Sequence, residues 1–416
     1  MKIEKKLWII LFAFGIFAIC FSGWIFRQST AREKLFWDNT IRCETKELKE
    51  GEIKSENIAL PEDFDVPKSI LFKTTHTIAE VWLDGEKIYE YGNEADAPGF
   101  MKTPGSCWHI VDIPGDSSGK NLEVRIIPVY EGYYGNEVSL VYGTRGDCIL
   151  KILTDCLGIL VISCGILFAA VICILLYCGA ARRKRSDKTE AKIEIFLNLG
   201  FFSLLVAVWT LVQCGFLQFL IPDGRTLYFV EYFSLFLFPV PFNFLLYDIC
   251  KSRYHKGALI FSILYLTNMA VDVLLQCTGI IDMSRLLSVI HVIMVANVVY
   301  TVVIILYEAG KKENDVAQKF RYPMCVVMGF GMAEMIFYYL RRFEQISILL
   351  SMGTMLFIIM LIWIQVSQYY DQYIQKQKVI YLQKIANMDM LTEAMNRNAY
   401  EDMVKYLDEG EIKLST

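Results

Sequence analysis

Residues 157–178 read LGILVISCGILFAAVICILLYC and contain no charged side chain. A hydrocarbon core of about 30 Å requires about 20 consecutive helical residues, so this stretch is long enough to cross a lipid bilayer. The whole chain has the same character, because 55% of its residues are hydrophobic, 21% are charged and its mean hydropathy is +0.38. An average soluble domain has roughly 45 to 50% apolar residues. The sequence therefore predicts an integral membrane protein whose main partner is the lipid bilayer.

Eight runs of membrane length are present, and residues 27–148 separate the first from the other seven. The fourth contains Pro239 and Pro241, which should kink that helix. The first could be a cleaved signal peptide, but it is longer than the 7 to 15 apolar residues usual for that role. We expect an uncleaved N-terminal anchor followed by seven transmembrane helices. The predicted runs are 7–26, 149–178, 193–221, 227–250, 257–279, 286–308, 323–340 and 346–368.

Lysine and arginine predict the orientation of these helices, because short cytoplasmic loops are enriched in both. With the N-terminus inside, the inner segments carry sixteen Lys and Arg residues and the short outer loops carry four. The protein is therefore expected in the cell membrane, with residues 27–148 outside the cytoplasm and both termini inside. The net charge of −4 shows no basic excess, and we expect no nucleic-acid partner.

The outer segment has the pattern of a small β-sandwich. Residues 69–74, 78–83 and 87–91 are strand-like, and Asp84 with Gly85 forms a strong hairpin signal between the last two. Apolar and charged residues alternate over 122–126, as in a half-buried strand. The order of elements, with a hairpin at 82–85 and a later Trp108 strand, resembles the galactose-binding-like jelly rolls of bacterial sensors. That resemblance implies an extracytoplasmic all-β domain over 27–148.

Aromatic side chains in this segment could stack on a flat ligand such as a sugar or another small molecule. The candidates are Trp82, Tyr91, Trp108 and Tyr133. They could equally form the core and loops of the sandwich. Three cysteines also fall here, Cys43, Cys107 and Cys148, and three thiols allow at most one internal disulfide. Neither His76 nor His109 has the spacing of a metal ligand, so no metal site is expected.

Ionisable residues inside the predicted bundle are candidates for a ligand pocket. Such residues are costly in a membrane and usually face an interior or a wet cavity. Four acids with one histidine would suit a cationic ligand, or a role in pH sensing, because a histidine near acids titrates near neutrality. Alternatively, they could lie at the level of the lipid head groups, or belong to a transporter. The candidates are Asp155, Glu231, Asp272, His291 and Glu334.

The last apolar run continues into a polar segment that keeps apolar residues at spacings of mostly three or four. These spacings predict a cytoplasmic coiled-coil linker over 369–388, forming a parallel homodimer with one irregular step. A single amphipathic helix is the alternative. The seam residues are Val366, Tyr370, Tyr373 or Ile374, Ile380 or Tyr381, Ile385 and Met388.

The segment after the linker carries the pattern D-x-L-T-x-x-x-N-R followed by an aromatic residue. This resembles the start of a GGDEF domain, although residues 393–395 replace that family's usual Gly-Leu-Pro. Thr392 or Asn396 can cap the helix that follows, and Asp389 with Arg397 can brace the linker. The matching positions are Asp389, Leu391, Thr392, Asn396, Arg397 and Tyr400.

The resemblance implies a diguanylate cyclase, in which two GGDEF domains each hold one GTP with Mg²⁺ or Mn²⁺ and form cyclic di-GMP. The metal carboxylates and the signature loop of that family would lie after residue 416. We therefore expect no catalytic residue, metal ligand or cofactor within 1–416, and residues 389–416 are too few to bury a core. The chain would be a fragment of a longer sensor cyclase or the product of a truncated gene.

The complete arrangement resembles bacterial seven-transmembrane receptors with diverse intracellular signalling modules. It predicts five parts: an anchor (1–26), an outer sandwich (27–148), a helical bundle (149–368), a linker (369–388) and the start of a GGDEF domain (389–416). The predicted function is that of a transmembrane signal receptor, the sensory half of a diguanylate cyclase. A non-catalytic dimeric receptor and a transporter are the alternatives.

Overall fold

The computed structural model describes residues 40–42, 54–60, 62–93, 97–130, 139–184, 194–311, 314–340 and 347–387, together with 400, 401, 404 and 405. The predicted anchor over 1–26 and the GGDEF-like residues Asp389, Leu391, Thr392, Asn396 and Arg397 lie outside these ranges, as does Tyr133. Residues 1–358 and 359–416 form two compact units.

Eight strands form the first part of the described chain, and we call it the β domain (residues 40–143). They build two four-stranded antiparallel sheets, one in the order β1-β8-β3-β6 and the other in the order β2-β7-β4-β5. The strands are β1 (Thr40–Arg42), β2 (Lys54–Ala59), β3 (Lys68–Thr75), β4 (Thr77–Leu83), β5 (Glu86–Tyr91), β6 (Ser106–Ile113), β7 (Asn121–Pro128) and β8 (Ser139–Gly143).

The local signals of the sequence explain these strands. The predicted strands at 69–74, 78–83 and 87–91 are confirmed as β3, β4 and β5. Asp84 and Gly85 join β4 to β5 with φ angles of 47° and 86°, the left-handed values that a tight hairpin turn needs. Residues 122–126 alternate between buried and half-buried positions in β7, as their pattern predicted.

The strand β3 is buried on both faces, which explains its continuous apolar sequence. Ile70 and Phe72 point into a core shared by both sheets. Leu71 points to the opposite face and packs with Ile152 and Cys156 of the first helix. Because side chains alternate along a strand, one strand both closes the core of the β domain and packs against the bundle.

Within the described residues of 145–387, eight α-helices follow the β domain. Among the described residues, six membrane-length segments are apolar enough to cross a bilayer, and the apolar part of the last helix, Ile348–Ile364, is shorter. The helices are α1 (Arg145–Lys184), α2 (Glu194–Gln213), α3 (Gly224–Leu237), α4 (Pro239–Ile249), α5 (His255–Cys277), α6 (Leu287–Gly310), α7 (Asp315–Leu340) and α8 (Ile348–Asn387).

Three of the predicted helix boundaries need comment. The helix predicted over 227–250 is one apolar span, Gly224–Ile249, that is interrupted at Phe238, where Pro239 starts α4. This interruption without an end was predicted, because proline lacks the N–H that would continue α3. The run predicted to begin at residue 323 begins instead at Asp315, and Pro323 lies inside α7. The run predicted to reach 221 ends at Gln213, and Gly215 follows in a left-handed conformation.

Two glycines give a matched test of how closely the β domain and the bundle approach each other. Gly85 and Gly105 both have positive φ, but a Cβ on Gly105 would clash with the carbonyl oxygen of Gly224 in α3, whereas one on Gly85 meets nothing within 4 Å. We expect Gly85→Ala to cost about 1 to 2 kcal/mol of backbone strain and Gly105→Ala several kcal/mol more. Thermal unfolding followed by tryptophan fluorescence measures both, and equal melting temperatures would contradict the close approach.

Candidate functional site

A cavity of about 130 Å³ lies inside the bundle, with side chains from α2 through the start of α8 in its wall. The break between α3 and α4 contributes Phe238 and Pro239 to this wall. A single buried water needs only about 10 to 15 Å³, so the cavity is large enough for a small organic molecule. Tightly packed protein interiors contain few such spaces.

Three of the five ionisable residues predicted to form a pocket line this cavity: Glu231, His291 and Glu334. Glu231 lies seven residues after the start of α3, and Glu334 lies six residues before the end of α7. With a rise of about 1.5 Å per residue, both carboxyls lie about 10 Å from those helix ends. His291 lies four residues into α6, about 6 Å from its start, and is therefore somewhat shallower than the two glutamates.

The structure leaves Asp155 and Asp272 outside the cavity. Asp155 is exposed on α1, where it pairs with Lys151 one turn away at 2.9 Å. Asp272 is buried on α5, and its carboxylate accepts a hydrogen bond from Asn268 at 2.6 Å. The two acids therefore have partners of their own on their own helices.

The two carboxyls of the cavity accept hydrogen bonds from neighbouring helices. Glu231 Oε1 accepts a hydrogen bond from Gln213 Nε2 at 2.7 Å. Glu334 Oε2 accepts the backbone N–H of Leu350 at 3.0 Å, in the first turn of α8. Glu334 Oε1 is buried and has no hydrogen-bond partner among the described residues, and the same is true of Trp209 Nε1. A bound molecule could satisfy both atoms.

The loop between β5 and β6 enters the end of the bundle above the cavity. Met101 is 3% exposed and packs in one cluster with Trp209, Tyr228 and Tyr232. Asp282 holds the loop: its Oδ2 accepts the backbone N–H groups of Lys102 at 3.3 Å and Thr103 at 3.4 Å. We call this contact region the junction, defined by residues 100–105, His76, Tyr130, Gln276 and Asp282.

Two further side chains complete the hydrogen bonds of Asp282. Tyr130 of the β domain donates to Oδ2, and Gln276 Nε2 donates to Oδ1 at 2.7 Å. The same Nε2 donates to the carbonyl of Phe100 at 2.6 Å. Burial raises the pKa of Tyr130 well above its usual value, so its hydroxyl stays protonated and remains a donor.

His76 joins the β domain to a residue that lines the cavity. It adopts φ 54° between β3 and β4, and its Nδ1 lies 3.0 Å from Thr103 Oγ1. Its Nε2 lies 3.4 Å from the hydroxyl of Tyr232, and Tyr232 is part of the cavity wall. Burial lowers the pKa of His76 to about 4, although nearby Asp282 opposes the shift. The imidazole is therefore neutral near pH 7.

The aromatic residues predicted to stack on a ligand lie in different surroundings. Trp82 Nε1 donates to Glu80 at 3.0 Å, and the Arg125 guanidinium lies 4.5 Å from the centre of the Trp82 ring. Trp108 packs against the bundle with Leu71 and Cys214. The Tyr91 hydroxyl donates to the carbonyl of Pro104 at 2.7 Å. Tyr91 and Trp108 therefore both lie against the bundle, next to Gly224 and Gly215, whereas Trp82 packs with charged neighbours of the β domain.

The predicted cysteines and His109 lie among packed or hydrogen-bonded neighbours. Cys107 of the β domain and Cys148 of α1 are both buried free thiols, and Cys43 lies outside the described residues. The His109 ring lies between Thr74 Oγ1, 2.6 Å from Nε2, and the Tyr89 hydroxyl, 2.9 Å from Nδ1. Within the described part of the chain, no group of three or more His, Cys, Asp or Glu side chains could hold a metal ion.

Sequence reasoning missed the residues that connect these parts. Asp282 and Gln276 belong to the short connection between α5 and α6 and the turn before it, and Tyr130 precedes residues 131–138, which the structure does not describe. No motif marks these positions, because their partners lie about 150 to 180 residues away. No known protein family, curated protein or solved structure matches the chain.

Asp282→Asn should loosen the junction. The amide keeps one acceptor oxygen but turns an N–H₂ group toward donors, and hydrogen bonds to a charged group contribute about 1.5 to 3 kcal/mol each. We expect the backbone amides of Lys102 and Thr103 to exchange hydrogen about a hundredfold faster, measured by mass spectrometry in nanodiscs. Asp84→Asn, in the exposed β4–β5 hairpin, is the matched control and should change nothing at the junction. Unchanged exchange in Asp282→Asn would refute the assignment.

The junction should weaken in acid. Above about pH 6.5 His76 is neutral whether docked or exposed, whereas between pH 6.5 and 4 only the exposed form takes up a proton. Docking stability is therefore complete above pH 6.5 and falls by about 3 kcal/mol as the pH drops to 4.

Hydrogen exchange of the His76 amide, which is bonded to Gly105 O at 3.0 Å, measures this loss. His76→Asn should flatten the pH dependence, since asparagine tolerates positive φ. His109, whose pKa burial lowers to about 3, packs inside the β domain and serves as the internal comparison. An equal acid effect in His76→Asn would contradict the role of His76.

Proposed function

We propose that the chain is a transmembrane signal receptor whose sensing site is the bundle cavity. Two hydrogen bonds support this proposal: one joins the wall of the cavity to the β domain, and the other joins it to the first turn of α8. Tyr232 lines the cavity and lies 3.4 Å from His76 of the β domain. Glu334 lines the same cavity and accepts the N–H of Leu350, in the first turn of α8, at 3.0 Å.

A ligand in the cavity would act on both hydrogen bonds. A molecule that binds the Glu334 carboxyl changes the charge and position of the acceptor for Leu350. It would therefore stabilise one arrangement of the α8 start over another. A ligand shifts a conformational equilibrium only by its difference in affinity for the two states, and this bond supplies such a difference. The β domain would bias the same equilibrium through Tyr232.

The output of the receptor is proposed from the sequence after α8. The GGDEF-like residues Asp389, Thr392 and Asn396 support a diguanylate cyclase that makes cyclic di-GMP from two GTP with Mg²⁺ or Mn²⁺. The cyclase works as a pair of domains, so the proposal includes a homodimer joined through the linker. Exposed Tyr370, Ile374 and Tyr381 of α8 support a seam for that dimer, since their spacing of four and seven suits a coiled coil.

The orientation in the membrane is part of the same proposal. The excess of Lys and Arg in the inner loops supports an extracytoplasmic β domain and a cytoplasmic linker. The apolar part of α8, Ile348–Ile364, would complete a bundle of seven spans. Two four-stranded antiparallel sheets around one core support the likeness to a jelly roll and to the seven-transmembrane receptor family.

Cyclic di-GMP levels in cells that express the full-length gene test this function. Glu334→Gln removes the charge from the acceptor of the Leu350 N–H, and charged hydrogen bonds are roughly twice as strong as neutral ones. A change of about 1.4 kcal/mol between two states is a factor of about ten, so we expect cyclic di-GMP to change several-fold. Asp272→Asn removes a buried acid outside the cavity and should leave the level unchanged.

The outcomes of this experiment separate the proposed function from its alternatives. No cyclic di-GMP from the wild-type gene would favour the non-catalytic receptor. Equal levels in the wild type and Glu334→Gln would remove the proposed route through α8. Uptake of a solute into liposomes that is lost in Glu334→Gln would favour a transporter instead.

A further inference from the structure

We infer that the bundle cavity binds a small organic cation with an aromatic or apolar body, held at its amino group by Glu334. This inference rests on the proposed function, because it names the class of ligand for the sensing site.

The strongest support is a buried carboxyl oxygen that the protein leaves unsatisfied. Glu334 is 8% exposed, and its Oε1 has no hydrogen-bond partner in the described chain. A buried acid without full compensation is unfavourable by several kcal/mol. Its other oxygen already accepts the Leu350 N–H, so the carboxyl is fixed in the wall of the cavity with one acceptor left unsatisfied. An ammonium N–H is the donor that satisfies this acceptor most strongly.

The charge of the cavity selects a cation. Two carboxyls, those of Glu231 and Glu334, belong to its lining, and no Lys or Arg is among the described residues that line it. His291, the third ionisable group, lies 2.9 Å from the Tyr339 hydroxyl through its Nδ1. Buried charges in a membrane protein require a partner. An anionic ligand would face the Glu334 carboxylate, whose Oε1 has no donor among the described residues, whereas a cation would pair with it.

The remaining wall fits an aromatic or apolar body. Trp209, Tyr232, Phe238, Tyr265 and Tyr338 all line the cavity. Aromatic faces attract cations by about 0.5 to 2 kcal/mol each, more strongly where water is excluded. They also provide the apolar contact that most ligand pockets use. A metal ion would not use these faces, whereas an organic amine uses both the faces and the carboxyl.

A second unsatisfied atom predicts a further feature of the ligand. Trp209 Nε1 is buried without a partner among the described residues and belongs to the cavity wall. Indole N–H groups usually find an acceptor when buried. The ligand should therefore carry an oxygen acceptor, such as a hydroxyl, in addition to its amino group.

A matched series of three probes tests the ligand class on the purified chain in nanodiscs. Tyramine carries the ammonium, the ring and the phenol oxygen. Tyrosol replaces the ammonium with a neutral hydroxyl, and 4-hydroxyphenylacetate replaces it with an anion. By isothermal titration calorimetry near pH 7.5 we expect tyramine to bind at least about tenfold more tightly than tyrosol, a difference of about 1.4 kcal/mol, and the anion not to bind.

Variants assign the binding to the two unsatisfied atoms. Glu334→Gln should weaken tyramine about tenfold or more and leave tyrosol unchanged, whereas Asp272→Asn should affect neither probe. If Glu334→Gln fails to fold, Trp209→Phe provides the second test, because it removes the N–H without changing charge. It should weaken tyramine but not phenethylamine, which lacks the phenol oxygen.

The result that would overturn the ligand class is clear. Equal affinity for tyramine and tyrosol, or no tyramine binding at about 10 mM, rules out a cation held by Glu334. If tyramine fails to bind while Glu334→Gln still changes cyclic di-GMP, the ligand class is wrong and the receptor stands. If tyramine binds as expected while cyclic di-GMP does not respond, the cavity is a cation site and the proposed signalling route is wrong.

Discussion

The arrangement of the β domain on the bundle depends on one buried carboxylate, that of Asp282. A charge removed from water is costly unless hydrogen-bond donors surround it. Two backbone N–H groups of the β5–β6 loop, the Tyr130 hydroxyl and the Gln276 amide supply these donors. Three of the four come from the β domain, so Asp282 is satisfied only while that domain is docked. The hydrogen bonds donated to Asp282, together with the packing of Met101, therefore hold the β domain and the bundle together as one unit.

Gln276 extends this network, because both ends of its side-chain amide are engaged in hydrogen bonds. Its Nε2 donates to both Phe100 O and Asp282 Oδ1, and its Oε1 accepts from Met283 N at 3.0 Å and from the Tyr228 hydroxyl at 3.2 Å. A fully buried amide that uses both ends strengthens a polar network, because each lost bond would leave an unsatisfied group. Tyr228 in turn packs against Tyr232, with ring centres 4.6 Å apart. The network therefore ends at the wall of the cavity.

The sequence predicted what depends on neighbours along the chain and missed what depends on distant contacts. Apolar length predicted the bundle helices, and the Asp84 and Gly85 pair predicted the β4–β5 hairpin, because both signals are local. The start of α7 was missed because residues 315–322 are polar or mixed, yet Ala317 and Phe320 are buried against the bundle. The same reasoning named Asp272 as a candidate and did not notice Asp282. Only the fold determines that Asp272 has its partner on its own helix, whereas Asp282 accepts hydrogen bonds from the β domain.

Under the proposed function, the character of α8 decides what kind of signal it can carry. Helices bend sharply at proline, at paired small residues or where a side chain interrupts the hydrogen bonds. Between residues 348 and 387 there is no proline and a single glycine, Gly353. A Cβ on Gly353 would clash with the Phe330 side chain of α7, so α7 and α8 approach closely one turn after Leu350. A change in the Glu334–Leu350 hydrogen bond thus acts beside a tight helix contact. It should rotate or shift α8 as a rigid element rather than bend it, which is the motion that a coiled-coil seam with an irregular step can accept.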